Sequence, residues 1–68
     1  MSLASAIAGL RSADGSALAL EPTFDADVTA AYASGDQALI SRAVQRRVIL
    51  NGVRDAIRAC LDRSTQVA

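Results

Sequence analysis

Few side chains in this chain can do chemistry: one cysteine, seven arginines and seven carboxylates, with neither lysine nor histidine among its 68 residues. Cys60 would need a neighbouring base or a second thiol to act as a nucleophile or redox centre, and the sequence offers neither. It continues an apolar helical face and reads as a small buried hydrophobe. If that face makes a symmetric dimer, an interchain disulfide is within its chemistry. Asp25 and Asp27 stand two apart, so on a helix they point to different sides and read as helix-start charges, not as an acid/base pair. Without Lys or His there is no phosphate-binding loop, Schiff base or ordinary proton-transfer catalyst. One thiol plus carboxylates also falls short of the usual zinc sets. No catalytic, cofactor-binding or metal residue is assigned, and the chain is expected not to be an enzyme.

The arginines support one alternative. Ala31, Gly35 and Ile40 have the outline of a helix-turn-helix element over residues 28–47, with Arg42, Gln45, Arg46 and Arg47 on the would-be reading helix. Arg and Gln are side chains that reach base edges. Two positions where that motif favours apolar residues hold Asp36 and Ser41 instead. The formal net charge is zero, unlike that of a protein built to neutralise phosphates. A small DNA-binding regulator is therefore the second reading. The charge is also unevenly spread: residues 1–36 carry one arginine against five carboxylates, net −4, and residues 37–68 carry six arginines against two, net +4. The two halves should attract each other.

The element that must position these residues is a long helix expected over 36–63. Leu39, Ala43, Arg46, Leu50, Val53, Ile57 and Cys60 recur at alternating spacings of four and three, which keeps them on one side of a helix. A second apolar row, Ile40, Val44 and Val48, suggests that the first half is covered from two sides by its own chain. Arg47, Asn51, Arg54, Asp55, Arg58 and Asp62 form the opposite face, expected to be solvated, with Asp55/Arg58 and Arg58/Asp62 at pairing distance. Gly52 costs about 1 kcal/mol inside a helix relative to alanine. The helix is expected to run through Asn51-Gly52, a break there being the alternative.

Upstream, Glu21-Pro22 reads as a stop and Thr23 as an N-cap for a short helix over 24–33, with Phe24, Val28, Ala31 and Tyr32 on one face. Ser34-Gly35 should end it through a left-handed glycine. Ser34 with Gln37 matches a capping box for the long helix, Asp36 being the competing cap. So short a link makes the helices antiparallel neighbours. Residues 1–22 read as a short helix after Ser2, carrying Leu3, Ile7 and Leu10. The alternative there is an extended hairpin turning at Asp14-Gly15. The fold class is all-α: a single small domain, a helical hairpin of two to three helices dominated by the long C-terminal one.

Below roughly 70 to 80 residues one core rarely supplies more than about 3 to 5 kcal/mol, and a single cysteine rules out an intrachain disulfide. A partner is the expected supplement. With two short helices unable to cover the long one, Arg46, Leu50, Val53, Ile57, Cys60 and Leu61 are the expected partner-binding residues. The partner would be a protein: either the chain itself, as a homodimer or higher oligomer, or a subunit of a larger assembly that this chain serves as small subunit, adaptor or chaperone. Nucleic acid and membrane are not the expected partners. The N-terminal Ala/Ser/Leu stretch lacks a basic leader and is interrupted by Arg11 and Asp14, so a cytoplasmic location is expected. Using arginine alone for positive charge, with abundant alanine, fits a high-GC bacterial genome.

Overall fold

The computed structural model describes residues 2–67, with side chains to Gln66, and contains two helices: α1 over Leu3–Ser34 and α2 over Gln37–Val67. At 1.5 Å rise per residue each spans about 48 Å. The whole molecule measures 49 × 16 × 15 Å, so the helices lie side by side as an antiparallel hairpin.

α1 departs from the expectation of two separate short elements. It starts where expected, with the Ser2 hydroxyl accepting from the Ser5 amide at 3.1 Å, and then runs unbroken through Asp14-Gly15 and past Glu21-Pro22. Thr23 is therefore an exposed helical residue and not a cap. Pro22 removes one backbone donor, but both it and Leu18, whose carbonyl loses that donor, are exposed residues of α1. The inward row crosses it without losing step. Ile7, Leu10, Asp14 and Ala17, then Glu21, Phe24, Val28 and Ala31, alternate three and four apart and are the shielded positions of α1. Packing along that continuous row outweighs the proline.

The connection is built as the sequence suggests. Gly35 takes φ 71°, ψ 4°, and its amide donates to the Tyr32 carbonyl. Asp36 wins the competition to cap α2: its Oδ1 accepts from the amides of Ala38 at 2.9 Å and Leu39 at 3.4 Å. Ser34 turns back instead, donating to the Ala31 carbonyl and accepting from the Asp36 amide. α2 passes through Gly52 without a break.

The inward row of α2 is Ile40, Ala43, Arg47 and Leu50, then Arg54, Ile57, Leu61 and Ser64. It shares Ala43, Leu50 and Ile57 with the row read from hydrophobicity, but it is rotated toward Arg47 and Arg54 and away from Leu39, Arg46 and Val53. Val44 lies at its edge, half-buried, whereas Val48 is 61% exposed and is not wrapped by the chain. The resulting seam is thin. Its buried residues are Ala17, Ala31, Ala43 and Leu50, and none is sealed completely from solvent.

Candidate protein-interaction face

What the hairpin leaves exposed follows from what its seam consumes, and the seam consumes charge. Arg54 lies between the helices, its side chain 17% exposed, with Nε 3.2 Å from Asp14 and a terminal nitrogen 2.7 Å from Glu21. Arg47, one heptad earlier, places Nε 2.7 Å from Asp25 and a terminal nitrogen 3.9 Å from Glu21, and also donates to Asn51. Arg58 reaches Asp14 at 3.8 Å. Every one of these ion pairs joins a carboxylate of the acidic half to an arginine of the basic half. The hydrogen bonds that Arg54 donates to Glu21, and next to Asp14, hold the pKa of its guanidinium above the usual range.

Arginine is tolerated between helices only when its donors are met, because an unpaired charge there loses solvation without return. Asp14 and Glu21 on α1, and Arg47 and Arg54 on α2, repeat with the same seven-residue period in opposite sign. Sliding one helix by a heptad would leave an arginine against apolar residues, so the ladder selects this register. The face expected to be solvated thus carries the arginines that join the helices. Asp55 and Asp62 do not pair with Arg58 among the described residues.

The expected partner-binding residues divide accordingly. Leu50 is buried at 6% exposure, and Ile57 and Leu61 are half-buried in the seam. Arg46, Val53 and Cys60 are exposed, Cys60 contrary to its reading as a buried hydrophobe. They belong to a row, Leu39, Arg46, Val53 and Cys60, that flanks the seam on one side. Arg42, Ile49 and Ala56 stand just outside that row. Val53 is 46% and Ile49 64% exposed.

On the same side, α1 contributes the seven-residue row Ala13, Leu20 and Asp27. A shallow cleft of about 260 Å³ lined by Asp27, Ala30, Leu39, Arg42 and Arg46 shows that the two rows adjoin. The other flank is occupied near its middle by Asp25, Arg47 and Asn51. The first side carries exposed aliphatic residues from both helices, Leu20, Leu39, Ile49 and Val53, with small residues toward Ala13 and Cys60, whereas the exposed Leu18, Tyr32 and Val48 of the other side are divided by that charged cluster. Leu20, Leu39 and Ile49 were not among the expected partner-binding residues. The signal for Leu20 in the sequence is the seven-residue spacing from Ala13 to Asp27 beside the acidic row.

Residues 28–47 form the end of α1, the turn and the start of α2, arranged as an antiparallel hairpin. A helix-turn-helix crosses its helices at a steep angle and presents the second one free. Here the first turns of α2 are packed along α1.

No helix among the described residues is long and apolar enough to cross a membrane. No family model matches the chain, and neither a curated protein nor a solved structure resembles it closely enough to count as a match.

Proposed function

We propose that this chain is a non-enzymatic protein-association module, a small subunit, adaptor or chaperone of an assembly, acting through the aliphatic side that carries Leu20, Leu39, Ile49 and Val53. The observation that carries this reading is an area. The chain exposes 4829 Å², whereas a compact monomer of 7.0 kDa exposes about 4,000 Å². The excess, about 800 Å², follows from the thin, elongated shape and leaves room for an interface of standard size, to which one partner contributes a similar area. Shape agrees: the radius of gyration is 15.5 Å against about 11 Å for a compact chain of this length. Exposed aliphatic residues from both helices on one side of so thin a hairpin favour an association site there.

The reading selects the decisive substitutions. Leu50 and Ile57 belong to the seam, so Leu50→Asp or Ile57→Asp unfolds the hairpin and reports nothing about a partner. Ile49→Asp and Val53→Asp are the informative variants. The test is solution mass by sedimentation equilibrium together with crosslinking in the native cell. Association of the wild type that both variants abolish, with helical circular dichroism retained, is the expected result. A wild-type chain that stays at 7.0 kDa at high concentration and crosslinks to nothing overturns the proposal. Duplex DNA titrated at low salt is the opposing arm. Salt-dependent binding lost on charge reversal at Arg46 and Arg47 would move the function to nucleic acid.

A further inference from the structure

We infer that the occupant of this side is a second copy of the same chain, packed with its turn at the same end, so that two hairpins make a four-helix bundle. The inference rests on the association reading and adds the partner's identity and orientation.

Level along the hairpin is set by the ion-pair ladder, in which Arg54 lies between Asp14 and Glu21 and Arg47 reaches Glu21 and Asp25. On that register Asp27 of α1 is level with the turn of α2 from Arg42 to Arg46. Leu20 is level with the turn from Ile49 to Val53, and Ala13 with the turn from Ala56 to Cys60. A two-fold axis parallel to the helices places α1 of each copy in front of α2 of the other and preserves these levels. Asp27 then meets the partner's Arg42 and the partner's Arg46, Leu20 meets the partner's Ile49 and the partner's Val53, and Ala13 meets small residues. All four neighbouring helix pairs are antiparallel, the arrangement of an up-down bundle.

Charge chooses between orientations. Asp27, Arg42 and Arg46 all sit near the turn and line one cleft. None of the three has an ion-pair partner within 4.0 Å among the described residues. A perpendicular two-fold axis would carry that charged end onto the end near Cys60, where Arg63 continues the Arg42 row among small residues, so the arginines would meet another arginine and no carboxylate. With the turns together, each copy supplies one carboxylate to two arginines of the other, twice over. The contact is isologous and closes as a dimer.

A charge-swap pair tests this, since all three charged residues are exposed and outside the seam. Asp27→Arg alone, and the double variant Arg42→Asp with Arg46→Asp alone, each set like charges against each other at both symmetry-related contacts. Dimer dissociation should become at least about 100-fold easier in either. An equimolar mixture of the two restores opposite charges at both contacts and should dimerise like the wild type, as a heterodimer identified by native mass spectrometry. Helical circular dichroism of each variant alone confirms that the hairpin is intact. Variants that dimerise as tightly as the wild type, or a mixture that stays monomeric, overturn the proposed packing. A monomeric wild type that crosslinks to a different protein overturns self-association and leaves the association reading standing. A monomeric wild type with no partner overturns both.

Discussion

Leu50→Ala and Val48→Ala, two residues apart on α2, test whether the second apolar row is covered as far as Val48 or ends outside the seam that Leu50 occupies. Leu50 is 6% and Val48 61% exposed. Truncating a buried leucine costs roughly 2 to 5 kcal/mol. The seam here is one layer thick and open along both flanks, which lets the site relax, so about 2 to 3 kcal/mol applies. Unfolding 68 residues at about 2.1 cal/mol/K each gives an entropy near 0.14 kcal/mol/K, and the midpoint should fall by about 15 to 20 °C. A hairpin whose total stability is about 3 to 5 kcal/mol would then be substantially unfolded at 37 °C. Val48→Ala removes an exposed side chain and should stay within about 0.5 kcal/mol, or 3 to 4 °C. The assay is thermal unfolding followed at 222 nm, repeated over a hundredfold range of protein concentration so that association is separated from folding. Equal shifts for the two variants, or a larger one for Val48→Ala, would refute the orientation of α2.

Three further outcomes follow from the fold. Arg54→Ala leaves Asp14 and Glu21 without the cation between them, so it should lower the melting midpoint more than Arg58→Ala does. Adding Asp14→Asn and Glu21→Gln to Arg54→Ala should recover part of that loss, and no recovery in the melts would mean that the carboxylates are not what Arg54 serves. Gly35→Ala forces a β-carbon into φ 71° and should cost about 1 to 2 kcal/mol, read as a lower urea midpoint with unchanged slope; nothing lies within 4 Å of the added carbon, so crowding adds nothing. Pro22→Ala restores a backbone donor on the exposed side of α1 and should stabilise the hairpin by about 1 to 3 kcal/mol; a destabilised variant would mean that the proline is not a helix-interior residue.

Much of the architecture is legible locally. Ser2, the Ser34-Gly35-Asp36 turn and the passage of α2 through Gly52 all rest on short-range rules of capping and helix closure, which need no knowledge of a partner element. The opposite net charge of the two halves likewise anticipates that they fold together. Pro22 misleads because a local rule is read as absolute. Proline's cost inside a helix is about 3 kcal/mol, a quantity that packing on both sides of it can exceed. The seam of α2 misleads for a different reason. Ala43, Leu50 and Ile57 belong to two overlapping heptad patterns, one completed by Leu39, Val53 and Cys60 and the other by Ile40, Arg47, Arg54 and Leu61. Ranking residues by hydrophobicity chooses the first.

The sequence by itself determined that the chain is helical, where its main turn falls, and that its acidic and basic parts attract. Only the tertiary structure decided which side of α2 turns inward, and with it which aliphatic residues remain exposed. The physical reason is that an arginine's preference for an interface is not a property of the arginine. Arg47 and Arg54 are costly between helices until Asp14, Glu21 and Asp25 stand opposite them at matching heights, a condition set jointly by two segments some thirty residues apart. Once they are satisfied there, Ile49 and Val53 are turned outward beside Leu20, and the surface proposed for association exists.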